Sequence, residues 1–239
     1  MAGNNSAVLE RPTDKKTIVR DSLGVGLAVG ALGLSFGALA VVAGFSVAQA
    51  CALSLLMFSG ASQFAIIGVA GAGASPLAGA ATATMLGARN GLYGLHLSPL
   101  LEVKGLRKLL AAHLVLDESA AMSMGRKSTG EARLGFYATG ISVFVLWNIA
   151  TLIGALATKS LPDPAVLGLD VAAPAAFLAL LAPRMNSREP WIAALAAVGV
   201  ALAAVPLLPA GVPVLVAAIP ALLLGLLLRE PVERQEVSA

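Results

Sequence analysis

The chain has 239 residues, of which 58% are hydrophobic and only 12% charged, with a formal net charge of +3. Its mean hydropathy is +0.86. A water-soluble domain is about a quarter charged, so this composition excludes a soluble globular domain, a disordered chain and a nucleic-acid-binding surface. What remains is an all-α, polytopic integral membrane helical bundle whose solvent is the lipid bilayer.

In chain order, residues 1–21 form a polar tail with Arg11, Lys15, Lys16 and Arg20 against Glu10, Asp14 and Asp21. No charged residue then appears from Ser22 to Ala88, a stretch long enough for two to three membrane segments. The apolar stretch Leu23–Phe45 is too long for a signal core, so Ala48-Gln49-Ala50 before Cys51 is read as helix and not as a cleavage site. Cys51 is the single cysteine, which excludes an internal disulfide and a cysteine metal cluster. Gly44–Ser46 closes the first helix, Gly71–Pro76 closes the second, and a third segment runs from Leu77 to Pro99.

Residues 102–133 are the charged middle of the protein, and within them Leu106–Met124 reads as an interfacial helix or a short polar crossing. Leu134–Thr158 is an uncharged helix, and Val166–Ala182 is a further apolar stretch. Pro190–Leu228 suits a hairpin broken at Pro206–Gly211. The total is about seven hydrophobic segments, not all of them full spans, in one transmembrane domain over 22–228, followed by a short tail over 229–239.

Lys and Arg in short loops set orientation. The four basic residues of the N-terminal tail place it in the cytoplasm. Arg126, Lys127 and Arg133 put the start of the Leu134 helix on the same side, and Arg229 brings the C-terminus there. Three plain crossings between Ser22 and Pro99 would leave Lys104, Arg107 and Lys108 outside. The rule is rescued by a broken or re-entrant helix around 58–64, or by a further crossing at Leu109–Met124.

Polar groups at membrane depth need partners. Ser59, Gly60, Ser62 and Gln63 fall together inside an apolar segment, where a broken helix would offer backbone groups to a zwitterion. Arg89, beside Asn90, is the sole charge between Asp21 and Glu102 and calls for an acidic partner or an anionic ligand. Asp117 and Glu118 lie about 100° apart on a helix, so one can face inward to pair with Arg89 or carry a proton. Trp147 and Asn148 add a cavity wall and a polar face with Thr151. His96 and His113 lack a second ligand at metal spacing and read as structural, so no metal and no cofactor is expected. One helix face holds Gly26, Gly30, Gly33 and Gly37, suited to packing inside the chain or to docking a second subunit. There is no nucleotide loop, no H-E-x-x-H and no G-x-S-x-G, so an enzyme is not expected.

Taken in order, Gly60-Ala61-Ser62-Gln63-Phe64, Arg89 with Leu92-Tyr93-Gly94, Asp117-Glu118-Ser119, Trp147 with Thr151–Ala155, and Pro174-Ala175-Ala176-Phe177 resemble the AzlC family. The likeness spans roughly residues 18–228. It departs at Gly87, where the family carries Asn or Asp, at Asn90, where His or an aromatic residue is common, and at Leu116, where threonine is common. The resemblance implies a secondary transporter of the bacterial inner membrane. Its substrates would be leucine, isoleucine and valine, with methionine as an additional candidate, exported together with a small AzlD-type membrane subunit. The zwitterion would then sit near Ser59–Gln63 with Arg89 on its carboxylate. A membrane scaffold whose polar clusters serve only subunit contacts is the alternative, and measured flux separates the two.

Overall fold

The computed structural model describes residues 14–124, 126, 128–160, 178, 181–182, 185–208 and 212–227; the apolar stretch 166–182 lies almost wholly outside them. The described residues form helices and no strand: α1 (Lys15–Val42), α2 (Val47–Leu56), α3 (Ala61–Gly71), α4 (Pro76–Leu101), α5 (Leu106–His113), α6 (Asp117–Met124), α7 (Thr129–Lys159), α8 (Arg188–Ala204), α9 (Val212–Val216) and α10 (Ala218–Leu227). Two of them, α1 and α7, are long and apolar enough to cross a membrane. At about 1.5 Å per residue, α4 is nearly as long, but it carries Arg89, Asn90 and His96.

The pairing of α1 with α7 is the most extensive in the molecule. Glycines make it possible. A Cβ built on Gly26 would fall 2.5 Å from Ser142 Oγ, and one on Gly33 would fall 2.5 Å from the Trp147 carbonyl oxygen. At Gly37 the added carbon would run into the Thr151 carbonyl, and at Gly154 into that of Leu34. Backbones this close gain dispersion contacts that lipid tails cannot match. Hydroxyls fasten the starting end of the seam. Thr139 Oγ1 donates to Ser22 Oγ at 2.9 Å, and Ser142 Oγ donates to the Ser22 carbonyl at 2.9 Å. The glycine face is thus filled from within the chain and does not offer a docking surface to a second subunit. Contacts advance together along both helices, so α1 and α7 are parallel and start on one side, as the basic residues at their starts suggest.

The charge-free run begins at Ser22, yet α1 starts two turns earlier. Asp14 Oδ1 accepts from the Lys16 N–H at 3.2 Å and caps the helix there. The part of the tail from Lys15 to Asp21 is therefore helical.

Between α1 and α7 the chain makes two half-depth hairpins. The α2–α3 hairpin leaves the end of α1, and its other end returns there: the Gly71 position lies 3.4 Å from the Ala43 side chain. In between, Ser54 Oγ donates to Thr151 Oγ1 at 3.3 Å, and Phe58 packs edge-on to Phe144, the midpoint of α7. Helix α4 then runs back antiparallel, and Arg133 near the start of α7 donates to the Leu100 carbonyl and pairs with Glu102. From that end the α5–α6 hairpin enters. It reaches Phe144 through His113 and returns to the level of Gly135, where Met122 packs. The expected helix break around 58–64 is present, at 57–60 between α2 and α3. Leu106–Met124 is not one helix but two short ones, broken at 114–116 and folded back as a second hairpin.

Long helix plus hairpin thus occurs twice, α1–α3 and α4–α6, in opposite directions. The last three helices pack on one another, with α9 touching α4, and α8 ends in a turn at 205–208, where the expected Pro206–Gly211 break begins.

A leucine at position 37 has no space to occupy, whereas Gly24 is exposed with nothing near it. Gly37→Leu is expected to lower the unfolding midpoint in detergent by roughly 5 °C or more, and Gly24→Leu to leave it nearly unchanged, in a thermal-shift assay.

Candidate functional site

The two hairpin breaks meet at the depth of Phe144, and a cavity of about 310 Å³ lies between them. Ser59 and Gly60 of the first break and Asp117 and Glu118 of the second line it, with Arg89 and Asn90 from α4 and Trp147 from α7. The rest of the lining is apolar, including Val29, Leu32, Phe58, Phe64, Leu116 and Val143.

Each break is stitched by the third residue of its second half-helix. Gln63, fully buried, accepts from the Gly60 N–H at 3.1 Å through Oε1 and donates to the Leu53 carbonyl through Nε2 at 3.3 Å. Backbone groups left open at helix ends are costly away from water, and this one side chain satisfies one on each side of the gap. In the second break, Ser119 accepts from the Leu116 N–H at 2.9 Å and donates to the Leu114 carbonyl at 2.7 Å. Gly60 has φ +57°, which side-chain-bearing residues rarely adopt, so the sharp turn needs glycine.

Arg89 and Asp117 form an ion pair, Nη1 to Oδ2 at 2.9 Å, joining α4 to the start of α6. The side chains are 32% and 21% exposed, which sets the pair apart from the weak pairs of a solvated surface. Asp117 and Glu118 also lie at the positive end of α6. Both acids line the cavity, and Asp117 is the one paired with Arg89. Among the described residues, Arg89 Nε, Asn90 Oδ1 and Trp147 Nε1 are shielded from solvent and have no hydrogen-bond partner.

Three of the residues picked from sequence stand behind the wall. Ser62 Oγ accepts from Ser59 Oγ and donates to the Ala83 carbonyl, both at 2.9 Å, tying α3 to α4. It sits 3.4 Å from where a Cβ on Gly87 would be, so the small residue at 87 leaves it room. Gln63 serves the break. Asn148 Nδ2 donates to the Phe144 carbonyl one turn back at 2.8 Å. Of the histidines, His96 is exposed, and His113 packs on the Phe58 and Phe144 rings. Residues not anticipated as site residues are Phe58, Leu116, Val143 and Ser119. A serine two places after Asp117, in the spacing that Gln63 has after Ala61, is the available signal for the last.

Breaking the ion pair from one side leaves a charge stranded in a low-dielectric wall. Asp117→Asn alone is expected to lower the unfolding midpoint more than Arg89→Gln and Asp117→Asn combined, a non-additivity that a double-mutant cycle measures.

A family model described as AzlC protein matches residues 24–161, from just before Gly26 in α1 to just past the end of α7. No curated protein and no solved structure matches the chain. The matched span includes every cavity residue named above.

Proposed function

Because the chain belongs to the AzlC family, a family of membrane-transport proteins, we propose that it is the large subunit of a secondary exporter for branched-chain amino acids. The observation that carries this reading is the cavity at the meeting of the two breaks. It is apolar apart from one arginine, one asparagine, two acids and the polar groups of one break. An apolar wall suits a branched aliphatic side chain. The Arg89 guanidinium suits the carboxylate, and Asn90 Oδ1 suits the ammonium. Half-helices that end at mid-depth are a recurrent way for a transporter to hold a polar solute without lining a water-filled pore.

The arrangement also supports a topology. With α1, α4 and α7 as full crossings and the two hairpins re-entrant, the N-terminus, Lys104, Arg107, Lys108 and Arg133 all fall on one side. That satisfies the charge rule in the bacterial inner membrane with a cytoplasmic N-terminus. A small AzlD-type subunit would then attach away from the α1–α7 seam. The solute's carboxylate would approach the Arg89 guanidinium beside its ion pair with Asp117, so binding and the α4–α6 contact are coupled.

Counterflow in proteoliposomes holding both subunits tests this. Preloaded leucine is expected to drive uptake of labelled leucine, and no exchange would refute transport in favour of the scaffold reading. Arg89→Lys keeps the charge but loses the planar fork, and is expected to cut exchange by about 10-fold or more in the same assay.

A further inference from the structure

Trp147 is 3% exposed and belongs to the cavity wall, yet its Nε1 has no hydrogen-bond partner among the described residues. A buried indole N–H is ordinarily satisfied, because an unmatched donor forfeits its hydration. Its ring is not free to look elsewhere. It stacks on Phe36 with centroids 6.1 Å apart and takes Phe64 edge-on at 6.1 Å. Its backbone is held as well, because Gly33 packs directly on the Trp147 carbonyl. The indole is therefore a fixed donor held ready by three elements, α1, α3 and α7.

Across the same cavity, Arg89 presents a second unmatched donor, Nε, while its Nη1 is spoken for by Asp117. A buried donor without an acceptor on each of two walls calls for an acceptor from outside. The chemical group that can meet two N–H donors and one positive charge is a carboxylate, with one oxygen for each. We propose that Trp147 is a specificity-determining residue whose indole N–H, with Arg89 Nε, clamps the carboxylate of the solute between α7 and α4. The inference rests on the amino-acid transport reading above and deepens it. Recognition is directed at the carboxylate end, so an aliphatic carboxylate lacking the ammonium binds, while the corresponding amine does not engage Trp147. Because α4 belongs to the second repeat unit and Trp147 to the helix that holds the first, a clamped carboxylate also draws the two together.

The test uses the full chain with its small subunit in nanodiscs and three probes: leucine, isocaproate (no ammonium) and isoamylamine (no carboxylate). Trp147→Phe removes the donor while leaving an aromatic ring between Phe36 and Phe64, and the amine probe reads any general loss from the smaller ring. The substitution is expected to weaken leucine and isocaproate alike by roughly 10-fold or more, with isoamylamine unchanged. Equal weakening of all three probes, or unchanged leucine affinity, overturns the proposal while leaving transport standing. Should the wild type bind neither leucine nor isocaproate, the transport reading fails and this one with it. Independently of any Trp147 variant, the chain has two tryptophans, and the indole of Trp191 donates to the Met185 carbonyl. In ¹⁵N-indole spectra of Trp191→Phe, the remaining signal is expected to move downfield with isocaproate and not with isoamylamine. A signal insensitive to both overturns the clamp.

Discussion

Everything in this molecule hangs from the contact of two parallel helices at backbone distance. In water, helices associate to hide apolar surface. In lipid that force is absent, and what is left is the fit of one backbone against another. Gly26, Gly33 and Gly37 on α1 and Gly154 on α7 supply the fit, and the serine and threonine hydroxyls at the seam fasten it. The hairpins are too short to hold themselves in place: α2, α3, α5 and α6 have 8 to 11 residues each. Helices of that length are marginal unless they pack on something rigid. They lean on the α1–α7 pair and on α4, and the cavity exists because that frame keeps their tips apart.

The opposed orientation of the two units explains why the polar residues converge. A re-entrant hairpin carries its break to mid-depth whichever side it enters from, so two of them entering from opposite sides bring two breaks to one place. Each break is then closed by its own side chain, Gln63 in one and Ser119 in the other. The units are not equivalent chemically. The second carries the ion pair and the charged lining, and the first contributes Ser59, Gly60 and apolar walls.

Much of this was legible in the residues. Gly44, the Gly71–Pro76 turn and the Pro206–Gly211 break announce helix ends because glycine and proline act locally. Arg89 announces itself because a charge in hydrocarbon needs a reason, but whether Asp117 or Glu118 would pair with it was open until the structure put Asp117 there. The glycine face was recognisable as a packing surface, but which helix fills it was not, since α7 is far away in sequence. The second hairpin stayed hidden because Leu106–Met124 contains no glycine or proline. Its break at Leu114–Leu116 is held by tertiary packing and by the Ser119 side chain. Ser62, Gln63 and Asn148 were picked out for their polarity. Composition tells which side chains are unusual at depth, not which face of a wall they occupy.

The parallel seam has a consequence for how the protein is made. Helix α1 is complete long before α7 exists, and at about 5–20 residues per second it waits on the order of ten seconds for its mate. During that interval its strip of bare backbone faces lipid, or whatever insertion factor shelters nascent segments. The first hairpin, which follows at once, has no rigid floor beneath it. Half of the solute chamber is thus synthesised before anything can hold its shape, and the bundle locks only when its seventh helix arrives.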